Sequence, residues 1–163
     1  MGFDFTEFAE SYAASLAETL ANLPFSSMEK LWEIVEDARE QKSTVHFIGN
    51  GGSAGTPSHS AGDWSKELSL RTISHVDNSP SLTAWANDTD FENIFVGQLS
   101  TFASPGDVVI GFSGSGNSAN VINGIQDIKS LNSESKMASA FLKKADICLL
   151  YTSPSPRDLS TSR

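Results

Sequence analysis

Apolar residues at helical spacing begin the chain and predict two N-terminal helices. The first stripe repeats every four residues, with alanines between its members Phe8, Tyr12, Leu16 and Leu20. The second stripe consists of Leu31, Ile34, Val35 and Ala38. Ser26 and Glu29 have the three-residue spacing of a capping box, so we expect Ser26 to cap the second helix. Trp32 lies outside the second stripe and is expected to face a neighbouring subunit or another helix.

From residue 44 onwards, predicted strands alternate with predicted helices. Residues 45–48 and 107–112 are apolar runs typical of buried parallel strands, and a shorter strand is expected near residues 72–76. The segments between and after these strands predict four helices. The first covers residues 58–68, and the second has an apolar face formed by Phe91, Ile94, Phe95, Leu99 and Phe102. The third contains Val121, Ile122, Ile125 and Ile128, and the fourth, residues 137–145, leads into a strand at 146–151. This order predicts an α/β fold with a mainly parallel sheet.

The length of the chain fits one domain. Its 163 residues are enough for a single sizeable core, which we assign to residues 1–150, with N-terminal helices at 1–42 and an α/β core at 43–150. Residues 151–163 are rich in serine and proline and have almost nothing to bury. They are expected to be a disordered, non-native tail, directly after an apolar strand.

Charge and hydropathy narrow the possible partners and the location. Eleven basic and twenty acidic residues give a net charge of −9, which repels a phosphate backbone and disfavours nucleic acid as a partner. No apolar run approaches the roughly 20 residues of a membrane span. The N-terminus lacks the basic region of a secretory signal, and the single cysteine, Cys148, suits a reducing compartment. We therefore expect a cytoplasmic protein without a membrane partner.

Two glycine-rich turns follow the two most apolar strands. In a parallel sheet both turns lie at the carboxyl ends of the strands, where open α/β sheets bind ligands. Both match the dinucleotide-binding fingerprint loosely, as Gly49-x-Gly51-x-x-Ala54 and Gly114-x-Gly116-x-x-Ala119. The acidic residue that would bind the ribose is poorly placed, so the fingerprint is weak here.

Hydroxyl groups distinguish the second turn from the first. Ser113, Ser115 and Ser118 lie close to the predicted start of a helix. Free backbone N–H groups, the helix dipole and several hydroxyl donors together suit a phosphate monoester. Helix capping explains the same serines equally well, so both interpretations stay open for the turn taken alone.

Polar residues between the two turns are candidates for chemistry. His59 and Asp63 are four residues apart and share one face of a helix, where they could bind a metal or move a proton. A solvated His–Asp pair is the commoner arrangement. Asn87 and Asp88 are expected where a helix or turn begins, either as ligand contacts or as a cap. Two further histidines lie in predicted strands and are expected to be structural: His46 and His75.

Three segments, in this order and spacing, resemble the SIS (sugar isomerase) domain and its phosphoheptose isomerase branch. They are "GNGGSA", followed by a histidine and an aspartate, then "LTAWANDTDFENIFVGQL", and then "PGDVVIGFSGSGNSANV". The similarity is dense over residues 45–128. The resemblance implies a doubly wound parallel sheet flanked by helices in three αβα layers. It also implies a homotetramer with sites between subunits that interconverts sedoheptulose 7-phosphate and a heptose 7-phosphate for surface-polysaccharide (lipopolysaccharide or capsule) precursors.

The resemblance also assigns roles to individual residues. The substrate contacts it implies are Asn50, Gly51, Gly52, Ser53, Asn87 and Asp88. The phosphate cradle consists of Ser113, Gly114, Ser115 and Ser118. His59 matches a zinc ligand, and Asp63 stands where the family has a glutamate that binds zinc and acts as acid and base. Isomerisation through an enediol needs such a group to move a proton between adjacent carbons.

The chain departs from the family pattern in three ways. Asp63 is one methylene shorter than glutamate, and Gly114 replaces a residue that is often threonine. The family takes a glutamine and a second histidine from a late helix, and nothing after Cys148 resembles that helix. Half of the expected zinc ligands are therefore missing, and we expect an inactive fragment of an active parent.

Two other functions compete with the isomerase. A non-catalytic SIS module could act as a sugar-phosphate sensor, or as a protein adaptor like the replication-initiator-associating proteins of the same branch. A dinucleotide-dependent enzyme is disfavoured, because the ribose-binding acid is missing.

Overall fold

The computed structural model describes residues 3–131, which form six α-helices and a three-stranded sheet. The helices are α1 (Phe5–Ala21), α2 (Phe25–Gln41), α3 (Gly52–Leu68), α4 (Ser79–Asp88), α5 (Ile94–Phe102) and α6 (Ala119–Leu131). The strands are β1 (Thr44–Gly49), β2 (Arg71–Ser74) and β3 (Val108–Phe112), and a 3-10 turn (Phe91–Asn93) precedes α5. The predicted helix 137–145, the strand 146–151 and the tail 151–163 lie outside the described residues.

The sheet is parallel, with β1 in the centre. The strand order is β2-β1-β3, and Val45 of β1 pairs with Thr72 on one side and Val108 on the other. Every residue of β1 is buried, which explains its continuous apolar run. The chain passes through α3 to reach β2 and returns through α4 and α5 to reach β3. The winding direction therefore reverses at β1, as in a doubly wound fold.

Helices cover both faces of the sheet, each over its own apolar core. One core joins α2 and α3 to the sheet and includes Val35, Phe47 and Phe112. The other joins α4, α5 and α6 to the opposite face and includes Ile48 and Phe95. Alternate residues of β1 enter opposite cores, as the twofold repeat of a strand requires. The predicted three-layer αβα architecture is confirmed.

Helix α1 packs differently from the others. The predicted helix is confirmed, and Asp4 caps it by accepting hydrogen bonds from the backbone N–H groups of Thr6 and Glu7, both at 3.0 Å. Within residues 3–131, none of the residues of α1 is buried. Phe8, Tyr12 and Leu16 of its apolar stripe are half-buried, and Leu20 remains 53% exposed.

Three predictions about the ends of elements are wrong. Helix α2 begins at Phe25, with Pro24 at the N-cap and no side-chain cap among the described residues, so Ser26 lies inside the first turn. The φ of Pro24 is −78°, close to the value in a helix, so the helix begins directly after this proline and earlier in the chain than predicted. Helix α3 begins at Gly52, six residues before the predicted start, and β2 ends at Ser74.

The predicted face of α5 is partly confirmed. Ile94, Phe95 and Leu99 are buried, whereas Phe91 and Phe102, at its two ends, are exposed. Helix α5 also packs against α4 through Gly97. A Cβ added to Gly97 would lie 2.2 Å from the ring of Trp85, so the indole occupies the space that a side chain would need.

No helix within residues 3–131 is long and apolar enough to cross a membrane.

Candidate functional site

The two glycine-rich turns lie side by side at the carboxyl edge of the sheet. Gly49 pairs with Phe112 in the register of β1 and β3, so Asn50 and Ser113 are the first residues beyond the paired strands. Because the winding direction reverses at β1, the two turns border the crevice in which doubly wound sheets bind ligands. The predicted placement of both turns is confirmed.

The glycines of the first turn serve different purposes. A Cβ on Gly49 would lie 2.1 Å from the backbone oxygen of Ser53 and 3.1 Å from that of Phe112, so the fold itself requires this glycine. Gly51 has a φ of +54°, a conformation that side chains rarely adopt. In contrast, a Cβ on Gly52 or Gly55 would meet nothing within 4 Å in the described structure. The first turn therefore has an open side facing away from the protein.

The second turn gathers hydroxyl groups at the start of α6. Ser113 is buried, and its Oγ lies 3.2 Å from the Oγ of Ser118. The backbone oxygen of Ser118 accepts a hydrogen bond from Ile122 N at 3.0 Å, at the start of the helix. Ser115 is exposed, and its Oγ accepts a hydrogen bond from Asn117 N at 3.2 Å. Hydroxyls next to the positive end of a helix dipole favour an anion.

An asparagine pair joins the two turns. Asn50 Nδ2 donates to Asn120 Oδ1 at 2.7 Å, and Asn120 Nδ2 donates to Asn50 Oδ1 at 2.8 Å. Asn120 is only 2% exposed and also accepts a hydrogen bond from Val121 N at 3.0 Å. Reasoning from the sequence missed Asn120. A polar residue among the buried positions at the start of a helix was the available signal.

His59 and Asp63 lie on α3, away from the two turns. His59 Nε2 is 3.3 Å from Asp63 Oδ2, and the side chains are 84% and 57% exposed. They follow Gly52 by seven and eleven residues, which is about 10 and 16 Å along the helix axis. The predicted shared face is confirmed, and the pair lies about two to three helical turns beyond Gly52.

The described residues do not complete a metal site around this pair. Zinc sites in proteins use at least three protein ligands, usually histidine, cysteine or carboxylate. Among residues 3–131 there is no group of three or more such side chains that could hold a metal ion. His59 and Asp63 could supply two ligands, and any others would come from outside this part of the chain.

Asn87 and Asp88 lie at the end of α4 and a turn follows at Thr89, so of the expected helix or turn the structure has the turn. The N-cap of α4 is Asn78, whose Oδ1 accepts a hydrogen bond from Ser81 N at 3.1 Å. Asn87 Nδ2 donates to Asp88 Oδ1 at 2.8 Å, and both residues are exposed. An earlier asparagine before a serine and a proline starts the helix, so neither residue serves as its N-cap.

A buried polar network lies on the α5 side of the sheet. His46 Nδ1 is 2.9 Å from His75 Nε2, and His46 Nε2 is 3.2 Å from Asp107 Oδ2. The oxygens of Asp107 also accept hydrogen bonds from Thr44 N at 2.7 Å and Ser104 N at 2.8 Å. Gln98 Nε2 donates to the backbone oxygen of His75 at 3.0 Å. Both histidines are buried within the fold, in agreement with the expected structural role.

Burial keeps both histidine rings in the neutral form. It lowers the pKa of His46, although the hydrogen bond and charge of Asp107 act in the opposite direction. Burial, helped by the adjacent His46, lowers the pKa of His75 to about 4. The Asp107 carboxylate accepts a hydrogen bond from His46 Nε2–H. In the neutral His46 ring Nδ1 is then an acceptor, so it accepts the hydrogen bond that His75 Nε2–H donates. This network connects β1 with the residue that follows β2 and the residue that precedes β3.

A family model described as "SIS domain" matches residues 7–134. The chain belongs to the SIS domain family. The probable phosphoheptose isomerase of Thermoplasma acidophilum is 36% identical over 126 residues, which cover 74% of this chain and 69% of that protein. The phosphoheptose isomerase of Crocosphaera subtropica is 42% identical over 90 residues, covering 52% of this chain and 46% of that protein.

Solved structures agree with this assignment of the SIS domain. The phosphoheptose isomerase from Neisseria gonorrhoeae superposes with a TM-score of 0.71 and 28% identity, covering 87% of this chain and 81% of that one. This SIS domain therefore belongs to the phosphoheptose isomerase branch, whose members that resemble this chain are named as enzymes, and the resemblance to that branch is confirmed. The chain spans 46%, 58%, 59% and 69% of the lengths of four of its curated relatives.

Proposed function

We propose that this SIS domain belongs to a phosphosugar isomerase that interconverts sedoheptulose 7-phosphate and a heptose 7-phosphate. One observation carries the proposal. A hydroxyl-lined turn at the start of α6 adjoins an open glycine turn at the reversal point of the sheet, in a chain whose relatives are named phosphoheptose isomerases. A phosphate monoester and a polyhydroxy chain suit these two adjoining surfaces.

In this proposal the serine turn binds the phosphate. Ser115 is exposed and Gly114 has open space around it in the described structure, so a phosphate can approach the start of α6 closely. The hydroxyls of Ser113 and Ser118 lie on the buried side of the same turn. The sugar would extend from there along the first turn and towards the end of α4, and its proposed contacts are Asn50, Gly51, Gly52, Ser53, Asn87 and Asp88.

The proposed chemistry is proton transfer through an enediol. A base removes the proton from the hydroxyl-bearing carbon next to the carbonyl, the C–H electrons form the enediol double bond, and the carbonyl oxygen takes up a proton. The hydroxyl of the first carbon then loses its proton as a carbonyl forms there, and a proton returns to the former carbonyl carbon. We assign the proton transfer to Asp63, with assistance from His59, since their side chains are adjacent and exposed. Asp63 is shorter than the family's glutamate, and small errors in position slow proton transfer.

Zinc, location and pathway belong to this proposal as well. His59 and Asp63 would hold the metal together with ligands from outside the described residues, and zinc would supply an electrophile for the developing oxyanion. A cytoplasmic enzyme that supplies precursors of surface polysaccharides fits the acidic composition and the single cysteine.

A homo-oligomer, a tetramer by resemblance, is proposed to complete the site. Support comes from the apolar side chains of the two N-terminal helices, because Leu20, Phe25 and Trp32 are more than half exposed. Exposed apolar surface of this kind marks protein–protein contacts. A second copy could also add residues next to the exposed His59–Asp63 pair, whose nearer member lies about 10 Å along α3 from Gly52.

Ser115→Ala should weaken the binding of a sugar phosphate about tenfold, since one hydroxyl donor to a charged phosphate is lost. Calorimetric titration with heptitol 7-phosphate, a reduced sugar that cannot isomerise, measures the change. Ser65→Ala is the matched control: Ser65 is exposed, and its Oγ donates a single hydrogen bond to the Gly62 oxygen at 2.9 Å. Equal affinities of wild type and Ser115→Ala would contradict the phosphate cradle.

Asp63→Asn should abolish most turnover of sedoheptulose 7-phosphate, by a factor of about 100 or more, because an amide cannot take up the proton. Glu67→Gln, an exposed acid one turn further along α3, should leave the rate unchanged. A rate in Asp63→Asn equal to wild type would refute the role of Asp63. Binding of sedoheptulose 7-phosphate by the wild type without any turnover would favour the sensor over the enzyme.

A further inference from the structure

We infer that Asn120 is a positioning residue that fixes the side chain of Asn50 towards the sugar. The inference rests on the proposed function, because Asn50 is a proposed sugar contact there. Asn120 is the second residue of α6, and its side chain is buried and hydrogen-bonded to the half-buried Asn50. It can therefore act on a ligand in the crevice only through its neighbour.

Hydrogen bonding determines which way the pair faces. The backbone N–H of Val121 can only donate, so the Asn120 atom that it meets at 3.0 Å is the oxygen. With its oxygen assigned, Asn120 must donate through Nδ2 to Asn50 Oδ1. Asn50 must then donate through its own Nδ2 to Asn120 Oδ1. One backbone donor thus sets the orientation of two side-chain amides.

The fixed orientation decides what Asn50 can offer. A side-chain amide has two donor hydrogens and two acceptor lone pairs. The pair uses one donor and one lone pair of Asn50. The second N–H and the second lone pair therefore point in fixed directions, which suits a sugar hydroxyl that both donates and accepts. A freely rotating amide would lose rotamer entropy on binding, and Asn120 removes that cost in advance.

The pair also sets the spacing of the two turns. Asn50 belongs to the turn after β1, and Asn120 belongs to the helix that follows the serine turn after β3. Two hydrogen bonds of 2.7 and 2.8 Å hold the first turn and the start of α6 together. The distance between the sugar-contacting and phosphate-contacting surfaces is thereby fixed before the ligand arrives.

Asn120→Ser tests the positioning role. A serine keeps a small polar group at the start of α6 but cannot reach Asn50, so affinity for heptitol 7-phosphate should fall about tenfold. Affinity for inorganic phosphate should not change, because the serine turn is intact. The matched control is Asn123→Ser on the same helix, whose Nδ2 donates only a long 3.4 Å bond to the Glu92 oxygen. It should bind both ligands as the wild type does.

A double-mutant cycle separates positioning from a general effect on the fold. Asn50→Ala should also weaken heptitol 7-phosphate about tenfold, and adding Asn120→Ser to it should cause no further loss. If Asn120→Ser does not fold, Asn120→Ala takes its place in the same cycle. The inference would be overturned, with the proposed function intact, if Asn120→Ser bound heptitol 7-phosphate as tightly as the wild type does. It would also be overturned if Asn120→Ser caused the same loss of affinity in the Asn50→Ala background as in the wild type. A wild type that binds no heptitol 7-phosphate would overturn the proposed function and the inference with it.

Discussion

Gly49→Ala should destabilise the chain by about 3 kcal/mol or more, whereas Gly52→Ala, three residues away, should leave its stability nearly unchanged. The new methyl group at position 49 would meet the backbone of Ser53 at 2.1 Å and that of Phe112 at 3.1 Å. Backbone atoms in the first turn of α3 and at the end of β3 cannot move aside without separating the helix from the sheet. At position 52 the methyl group meets nothing within 4 Å of the described residues.

Denaturant unfolding followed by circular dichroism measures both changes. Gly52→Ala also reports on function, since a methyl group on the open side of the turn should reduce affinity for heptitol 7-phosphate while the fold persists. Gly49→Ala with wild-type stability would show that the approach of α3 to β1 is looser than the distances indicate. A large loss of stability in Gly52→Ala would mean that its open side is covered in solution.

Stability should fall as the pH decreases from about 6.5 to about 4, through the buried His75. In the unfolded chain this histidine takes up a proton below about 6.5. In the folded chain burial and the neighbouring His46 lower its pKa to about 4. The unfolded state therefore binds more protons than the folded state within this window, so acid favours unfolding. Above pH 6.5 the histidine is neutral in both states and this contribution is complete.

The size of the effect follows from the pKa difference. Each pH unit within the window costs about 1.4 kcal/mol, so His75 accounts for about 3 kcal/mol between pH 6.5 and 4. The groups that face it are His46 of β1, whose pKa is lowered in the same direction, and Asp107 beyond it, with Gln98 from α5. The aromatic ring of Phe102 covers its remaining side at a centroid distance of 6.0 Å.

Comparison of two glutamine variants isolates this contribution. His75→Gln retains a donor for His46 but does not titrate, so between pH 7.5 and 5 it should lose about 2 kcal/mol less than wild type. His59→Gln removes a histidine whose side chain is 84% exposed and should keep the wild-type slope. Unfolding free energies measured at several pH values give the slopes. Identical slopes for wild type and His75→Gln would contradict the assignment.

Most of the fold could be predicted from the pattern of apolar residues. The continuous apolar runs of β1 and β3 and the helical stripe of α2 are local features, and they predict that these elements are buried against the core. The first turn of α3 could not be found in this way. Its glycines have low helix propensity, and the turn is helical because the positive φ of Gly51 and the neighbouring strand backbone place it there.

The candidate site was predictable only where it is local in sequence. The serine turn and its position at the start of α6 could be read from neighbouring residues. The pairing of Asn50 with Asn120 spans 70 residues, and that of His46 with Asp107 spans 61. Neither follows from spacing, because it depends on β1 and β3 becoming neighbours. The roles of the individual site residues remain predictions.

The contact between Trp85 and Gly97 has a consequence for genetic screens. Trp85 lies two residues before Asn87, and its indole rests directly on the backbone of another helix. Any side chain at position 97 would displace the end of α4, and Asn87 and Asp88 with it. A mutational scan scored only by growth would therefore mark Gly97 as strongly as a ligand contact, although it touches only protein. Scoring abundance in parallel would separate the two classes.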